Sequence, residues 1–167
     1  MEQNKDVFLT FLESHKGIIY KVANAYCKDV HQREDVIQEI IIQLWTSFEN
    51  YNSQYQASTW VYRIALNTAI SFYRKTRRHQ NNTRSLSPII EYFQAADHPH
   101  QEDPNLQLLT QFIGQLGEID KSLILLYLDG HKYQEIAEVT GFTTTNVSTR
   151  ISRIKAELKR KFEKLKP

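Results

Sequence analysis

The sequence predicts an all-α protein made of two small helical domains that a flexible linker joins. Apolar residues recur at spacings of three and four along most of the chain, the period of a helix that is buried on one side. No alternating strand pattern bounded by hairpin turns occurs. Three of the four prolines, Pro88, Pro99 and Pro104, fall in the segment 80–104. This segment is the predicted linker, so the domains are residues 1–79 and 105–167.

The apolar period predicts helices in both domains. In the first domain they cover residues 4–15, 17–28, 31–50 and 57–79. In the second they cover residues 105–116, 119–129, 132–140 and 143–164. Each domain is close to the lower size limit for independent stability.

The net charge of +2 conceals a segregation of charge along the chain. Lys and Arg outnumber Asp and Glu by 10 to 8 in residues 1–79 and by 10 to 7 in residues 105–167, whereas the linker holds one base and four acids. Clustered basic stretches are typical of nucleic-acid contact. A solvated helix face is the alternative that charge alone leaves open.

The composition also limits where the protein can act and which kinds of site it can contain. A single cysteine, Cys27, excludes an internal disulfide and a Cys-based zinc site. The longest apolar run is far shorter than the roughly 20 residues of a membrane span, and no secretory segment opens the chain. We therefore expect a cytoplasmic protein with a reduced thiol.

An enzyme is the least favoured hypothesis. It would rest on a metal cluster at the end of the linker, made of Asp97, His98, His100, Glu102 and Asp103. A His-Pro-His sequence in a flexible acidic segment lacks the fixed geometry of a metal site. We therefore predict no catalytic site, metal, cofactor or small-molecule substrate.

The helix predicted over 31–50 has two contrasting faces. Its apolar stripe is expected to be core and consists of Val36, Ile37, Ile40, Ile41, Leu44, Trp45 and Phe48. Ile42 points away from that stripe and is framed by Asp35, Gln38 and Glu39. This arrangement suits a protein–protein contact, although a scattered surface isoleucine is the ordinary alternative.

The helix predicted over 57–79 is apolar except for one polar line, made of Arg63, Asn67, Ser71, Arg74 and Arg78. Guanidinium groups there could track a phosphate backbone while Asn67 contacts a base. Tyr51 and Tyr55 precede this helix in a polar loop and are candidates for stacking on unpaired bases. Trp60 opens the apolar side and is expected to be core.

The segment 133–147 has helix-turn-helix spacing. A short helix ends near Gly141, and a run of threonines that can cap the next helix follows. That next helix buries Val147 and the apolar residues after it, and offers hydroxyls and basic groups to a DNA groove: Thr145, Ser148, Thr149, Arg150, Ser152, Arg153 and Lys155. A solvated basic face is the less favoured alternative.

These segments together resemble the extracytoplasmic-function (ECF) sigma factors of bacterial RNA polymerase. The stretch 35–39 followed by Trp45 resembles the family segment that docks on the polymerase clamp helices. Residues 60–67 with 74–78 resemble the segment that melts and reads the minus-ten promoter element. Residues 130–137 and 146–153 resemble the reader of the minus-thirty-five element.

The resemblance implies a role for each surface and a set of partners. Asp35, Gln38, Glu39 and Ile42 would bind core RNA polymerase. The minus-ten element would be contacted by Tyr51, Tyr55, Arg63, Asn67, Arg74, Arg77 and Arg78, and the minus-thirty-five duplex by the residues offered by the last helix. An anti-sigma factor, often membrane-tethered in this family, is a further implied partner, and the acidic linker would thread polymerase channels.

A different class of function remains as the alternative. The chain would then be a stand-alone helix-turn-helix transcriptional regulator whose first domain senses a ligand or dimerises. Such a regulator binds duplex DNA without polymerase, at a palindromic site that matches its own two-fold symmetry.

Overall fold

The computed structural model describes residues 2–53, 56–80 and 103–164. Within these ranges the chain is helical and has no strand, so the all-α prediction is confirmed. The helices are α1 (Glu2–Tyr26), α2 (Val30–Phe48), α3 (Ala57–Gln80), α4 (Pro104–Gly114), α5 (Glu118–Leu128), α6 (Tyr133–Thr140) and α7 (Thr144–Glu163). The chain divides into two compact units, Met1–His98 and Pro99–Pro167.

The first unit begins with one long helix where the sequence predicted two. The predicted break at residue 16 does not occur, and Gly17 beside it lies inside α1. A glycine costs a helix interior only about 0.5–1 kcal/mol relative to alanine, which packing easily offsets. Here α1 packs along α2 and α3 and buries Phe8, Ile19 and Val22 on that side.

The core of the first unit lies where α1, α2 and α3 meet. Asp29 fixes the start of α2, because its carboxylate accepts a hydrogen bond from the Gln32 N–H at 2.9 Å. From α2 the core receives Val36, Ile40 and Leu44, and α3 contributes Val61, Tyr62, Ala65, Leu66 and Ala69. Trp45 was predicted to be core, and this is wrong: 43% of it is exposed.

The second unit packs α6, α7 and α4 around α5, which is buried along most of its length. Its first helix begins at Pro104, inside the predicted linker. Asp103 caps that helix by accepting a hydrogen bond from the Asn105 N–H at 2.9 Å, and proline is favoured at the first helical position.

Most of the predicted linker, including residues 97–102 of the metal hypothesis, lies outside the described residues. Among the residues that are described, no group of His, Cys, Asp or Glu could hold a metal ion. No helix in the same ranges is both long enough and apolar enough to cross a bilayer.

Candidate functional site

The outward side of α2 carries an apolar centre in an acidic frame. Ile42 is 52% exposed, and Asp35 and Gln38 are exposed beside it. Glu39 is half-buried, and its carboxylate accepts a hydrogen bond from Gln43 Nε2 at 2.9 Å. The helical period also brings Trp45 within about 60° of Ile42. We call the set Asp35, Gln38, Glu39, Ile42 and Trp45 the α2 outer face.

The helical period assigned Trp45 to the buried stripe, although the family resemblance included it in the docking segment. Its position on the helical period lies at the border between the buried stripe and the outer face, so either assignment fits the sequence. In the structure its indole packs edge-on against Phe8 of α1, with ring centroids 4.9 Å apart, and its other side is open to solvent. The outer face therefore has two apolar residues rather than one.

The polar line predicted on α3 is a continuous exposed surface. Its members Arg63, Asn67, Ser71, Arg74 and Arg78 are all exposed. They fall within about 80° of the helix circumference and extend over about 22 Å of its length. Arg77 is exposed beside them. We call this surface the α3 basic seam; it has the length and charge to follow several phosphates of one strand.

An aromatic cluster anchors the beginning of the loop that precedes α3. Tyr51 packs against Trp60, with ring centroids 4.8 Å apart, and lies nearly parallel to Phe48 at 6.4 Å. Phe11 of α1 contacts both Tyr51 and Trp60. Tyr51 and Trp60 are each partly exposed. One part of the Tyr51 ring therefore packs against the protein and the rest is open to solvent, while Trp60 lies at the edge of the core. Tyr55 is outside the described residues.

The helix-turn-helix of the second unit forms as the sequence predicts. Gly141 ends α6 with φ +77°, the left-handed conformation that glycine adopts at least cost. Thr143 Oγ1 then caps α7 by accepting a hydrogen bond from the Asn146 N–H at 3.2 Å. At the start of α6, Lys132 has no side-chain acceptor, so only the return half of a capping box exists: its N–H donates to Glu135 at 2.8 Å.

The two sides of α7 differ as expected from its period. Val147, Ile151, Ile154 and Leu158 are buried and pack on α5 and α6. The opposite side is exposed at Thr145, Thr149, Ser152 and Arg153, with Ser148 half-buried at its edge. Among the described residues, Arg153 has no ion pair. This α7 outer face offers hydroxyls and a guanidinium to a DNA groove.

Two of the residues of α7 that were predicted to contact DNA also make contacts within the second unit. Arg150 Nη1 lies 2.6 Å from Asp120 Oδ1 of α5, and its guanidinium lies 5.4 Å from the centre of the Phe142 ring. Lys155 Nζ donates to the Tyr127 hydroxyl at 3.2 Å. This hydrogen bond raises the pKa of Lys155 above its ordinary value. Both side chains leave α7 at the edges of its buried side, within reach of α5.

Comparison with known families matches both halves of the chain. Sigma-70 region 2 matches residues 11–79, and sigma-70 region 4 matches residues 106–158. The first match contains the α2 outer face and the α3 basic seam, and the second contains the helix-turn-helix.

Relatives of known function cover nearly the whole chain. The RNA polymerase sigma factor SigV of Bacillus subtilis (strain 168) is 30% identical over 154 residues, spanning 91% of this chain and 89% of that protein. The ECF RNA polymerase sigma factor SigW of the same organism is 26% identical over 172 residues, spanning 97% and 92%.

Solved structures share the fold. The sigma factor RpoE of Bartonella quintana, solved with the anti-sigma factor NepR, has a TM-score of 0.74 at 19% identity and matches 99% of this chain and 100% of that one. CnrH, solved with the cytosolic domain of CnrY, has a TM-score of 0.69 at 19% identity and matches 97% and 91%. With both regions and full-length relatives matched, the chain belongs to the extracytoplasmic-function sigma factors of the sigma-70 family, which direct promoter-specific initiation by RNA polymerase.

Proposed function

We propose that the α2 outer face is the surface by which this sigma factor binds core RNA polymerase. Asp35, Gln38, Glu39 and Ile42 would contact the clamp helices, and Trp45 would extend the apolar centre. The single observation that carries this proposal is the 52% exposure of Ile42 within an acidic frame. A desolvated apolar centre with a polar rim is the usual anatomy of a protein interface.

The α3 basic seam would hold the opened minus-ten strand. Arg63, Arg74, Arg77 and Arg78 would neutralise phosphates, and Asn67 would contact an exposed base. Tyr51 and Tyr55 would present rings to unpaired bases, with Tyr51 supported from behind by the aromatic cluster. Binding energy gained on the captured strand would offset the cost of unstacking it.

The α7 outer face would read the minus-thirty-five duplex. Thr145, Ser148, Thr149, Ser152 and Arg153 would contact bases and phosphates in the major groove. Arg150 and Lys155 also belong to the proposed minus-thirty-five surface. They lie at its edges, and each also contacts a residue of α5.

Further parts of the proposal follow from family membership. Functional domains would span residues 1–79 and 105–167, with 80–104 as the linker. The protein would carry no catalytic site and would act in the cytoplasm, where polymerase and promoter are. An anti-sigma factor would restrain it, since the Bartonella sigma factor of the same fold was solved with one. The stand-alone regulator is not favoured, because the first domain matches sigma region 2 rather than a sensing domain.

Permanganate footprinting tests whether the α3 basic seam is needed to open the minus-ten element but not to bind core polymerase. Core polymerase with the wild-type chain should make thymines of the minus-ten element reactive on DNA taken from upstream of the chain's own gene. Arg74→Ala combined with Arg78→Ala should abolish that reactivity while core binding persists. Full reactivity with the double variant would contradict the role of the seam.

A further inference from the structure

The basic residues of α7 fall into two groups according to their contacts. Arg150, Lys155 and Lys161 each contact another part of the second unit. Lys155 is exposed, as are Arg153, Lys159, Arg160 and Lys164, but within the described residues these last four make no such contact outside α7. The first group lies along the edges of the buried side of α7, and Arg153 lies on the outer face. Position around the helix therefore predicts which cations are available to DNA.

Two contacts hold opposite edges of α7 to the same helix. Arg150 pairs with Asp120, and Lys155 donates to Tyr127, whose ring it also covers at 5.1 Å. Asp120 and Tyr127 are seven residues apart, about 10.5 Å along α5, whereas Arg150 and Lys155 are about 140° apart around α7. The two contacts together oppose rotation of α7 about its own axis.

Arg150 has a second partner on a different element. Its guanidinium lies 5.4 Å from the centre of the Phe142 ring, in the turn that joins α6 to α7. One side chain thus links α5, the turn and the first half of α7. The guanidinium suits this role, since its planar face stacks on an aromatic ring while its edge donates to a carboxylate.

We propose that Arg150 is a positioning residue of the minus-thirty-five reader: its contacts with Asp120 and Phe142 set the rotation of α7, and with it the aim of Arg153 into the groove. This inference rests on the proposed role of the α7 outer face. It changes the expected role of Arg150 from a direct DNA contact to an indirect one, and it assigns Asp120, an acid on another helix, to DNA recognition.

The direction in which Asp120→Asn changes promoter binding distinguishes a direct DNA contact by Arg150 from a positioning role. If Arg150 bound a phosphate directly, removing its acidic partner would free the guanidinium and remove a repulsive charge, so promoter binding would stay equal or tighten. If Arg150 positions α7, the same substitution loosens the helix and weakens recognition. Arg150→Lys gives a second, independent test, because it keeps the charge but loses the planar, two-partner geometry.

The experiment measures the affinity of reconstituted holoenzyme for two DNA fragments from upstream of the chain's own gene, one with its native minus-thirty-five element and one with that element scrambled. We expect Asp120→Asn and Arg150→Lys each to reduce the ratio of the two affinities about 3- to 10-fold. Glu163→Gln is the matched control, since it also removes the acidic partner of an α7 cation, Lys159, but on an exposed edge. That control should leave the ratio unchanged.

Three other outcomes overturn the inference. An unchanged or increased ratio for Asp120→Asn would contradict a positioning role for Arg150, as would a wild-type ratio for Arg150→Lys. A wild-type holoenzyme that does not distinguish the two fragments would overturn the proposed function of α7 and the inference with it. Core affinity and far-ultraviolet circular dichroism of each variant identify loss of folding.

Discussion

Trp45 packs edge-on against Phe8, with ring centroids 4.9 Å apart, while 43% of the tryptophan stays exposed beside Ile42. Phe8 itself is buried and also contacts Phe48. The apolar part of the α2 outer face is therefore supported by the core of the first unit. Because Ile42 lies outside that core, its substitution should affect binding without affecting the fold.

The double variant Asp35→Arg and Ile42→Glu should abolish binding to core polymerase. It reverses one charge of the acidic frame and places a second charge at the apolar centre, where desolvation is most costly. The free energy of unfolding should change by less than about 0.5 kcal/mol, as for most exposed sites. Gel filtration of the chain with core polymerase measures the binding.

Leu9→Glu is the control for that variant. Leu9 is 48% exposed on α1 and lies outside the α2 outer face, so the same kind of substitution should leave core affinity unchanged. Wild-type affinity in the double variant, or equal losses in the variant and the control, would refute the interface assignment.

Asn67→Ala should slow open-complex formation while preserving core binding. The amide is exposed on the α3 basic seam, and losing one or two hydrogen bonds to a captured base costs about 0.5–1.5 kcal/mol each. Stopped-flow fluorescence with a labelled minus-ten base follows the rate. Ser71→Ala, on the same seam, should have a smaller effect; equal rates for Asn67→Ala and wild type would remove Asn67 from the site.

Arg153→Ala should weaken recognition of the minus-thirty-five element by about 1–3 kcal/mol at the base pair it reads. Lys159→Ala removes another exposed cation of α7, so it should weaken native and scrambled elements alike. Competition binding of holoenzyme with single-substitution duplexes separates these effects. A uniform loss for Arg153→Ala would mean that it contacts phosphate only.

Gly141→Ala should destabilise the second unit by about 1–2 kcal/mol, because φ +77° is unfavourable for a residue with a Cβ. A Cβ there would meet nothing within 4 Å, so the cost comes from the backbone alone. Urea unfolding followed by circular dichroism measures this loss of stability. Tryptophan fluorescence would not detect it, because both tryptophans lie in the first unit and report on that unit alone. An unchanged midpoint would contradict the proposed strain.

Gly17→Ala is the matched glycine-to-alanine substitution, and it should raise the free energy of unfolding rather than lower it. Gly17 lies in the interior of α1, where a Cβ also has open space. Alanine there should stabilise the first unit by about 0.5–1 kcal/mol. Tryptophan fluorescence during urea unfolding detects the shift.

The features that sequence predicted well are local ones. Gly141 and Thr143 act within a few residues of their positions, so the turn and the cap of α7 follow from residue type and spacing. Exposure of Ile42 and of the α3 basic seam follows from the helical period, since each lies opposite a wide apolar stripe.

The features that sequence missed depend on packing between distant residues. Asp120 and Arg150 are 30 positions apart, and no periodic pattern relates them. Trp45 lies at the border of two faces, where only its contact with Phe8 decides which part is buried. The apolar period suggested a break at residue 16, but packing against α2 and α3 keeps α1 continuous.

Run-off transcription with purified core polymerase and this chain, on DNA taken from upstream of its own gene, tests whether the chain initiates transcription as a sigma factor. We expect a discrete transcript that requires both proteins and disappears with the double variant Asp35→Arg and Ile42→Glu. No transcript from any candidate promoter, together with no complex between the chain and core polymerase on gel filtration, would contradict this expectation.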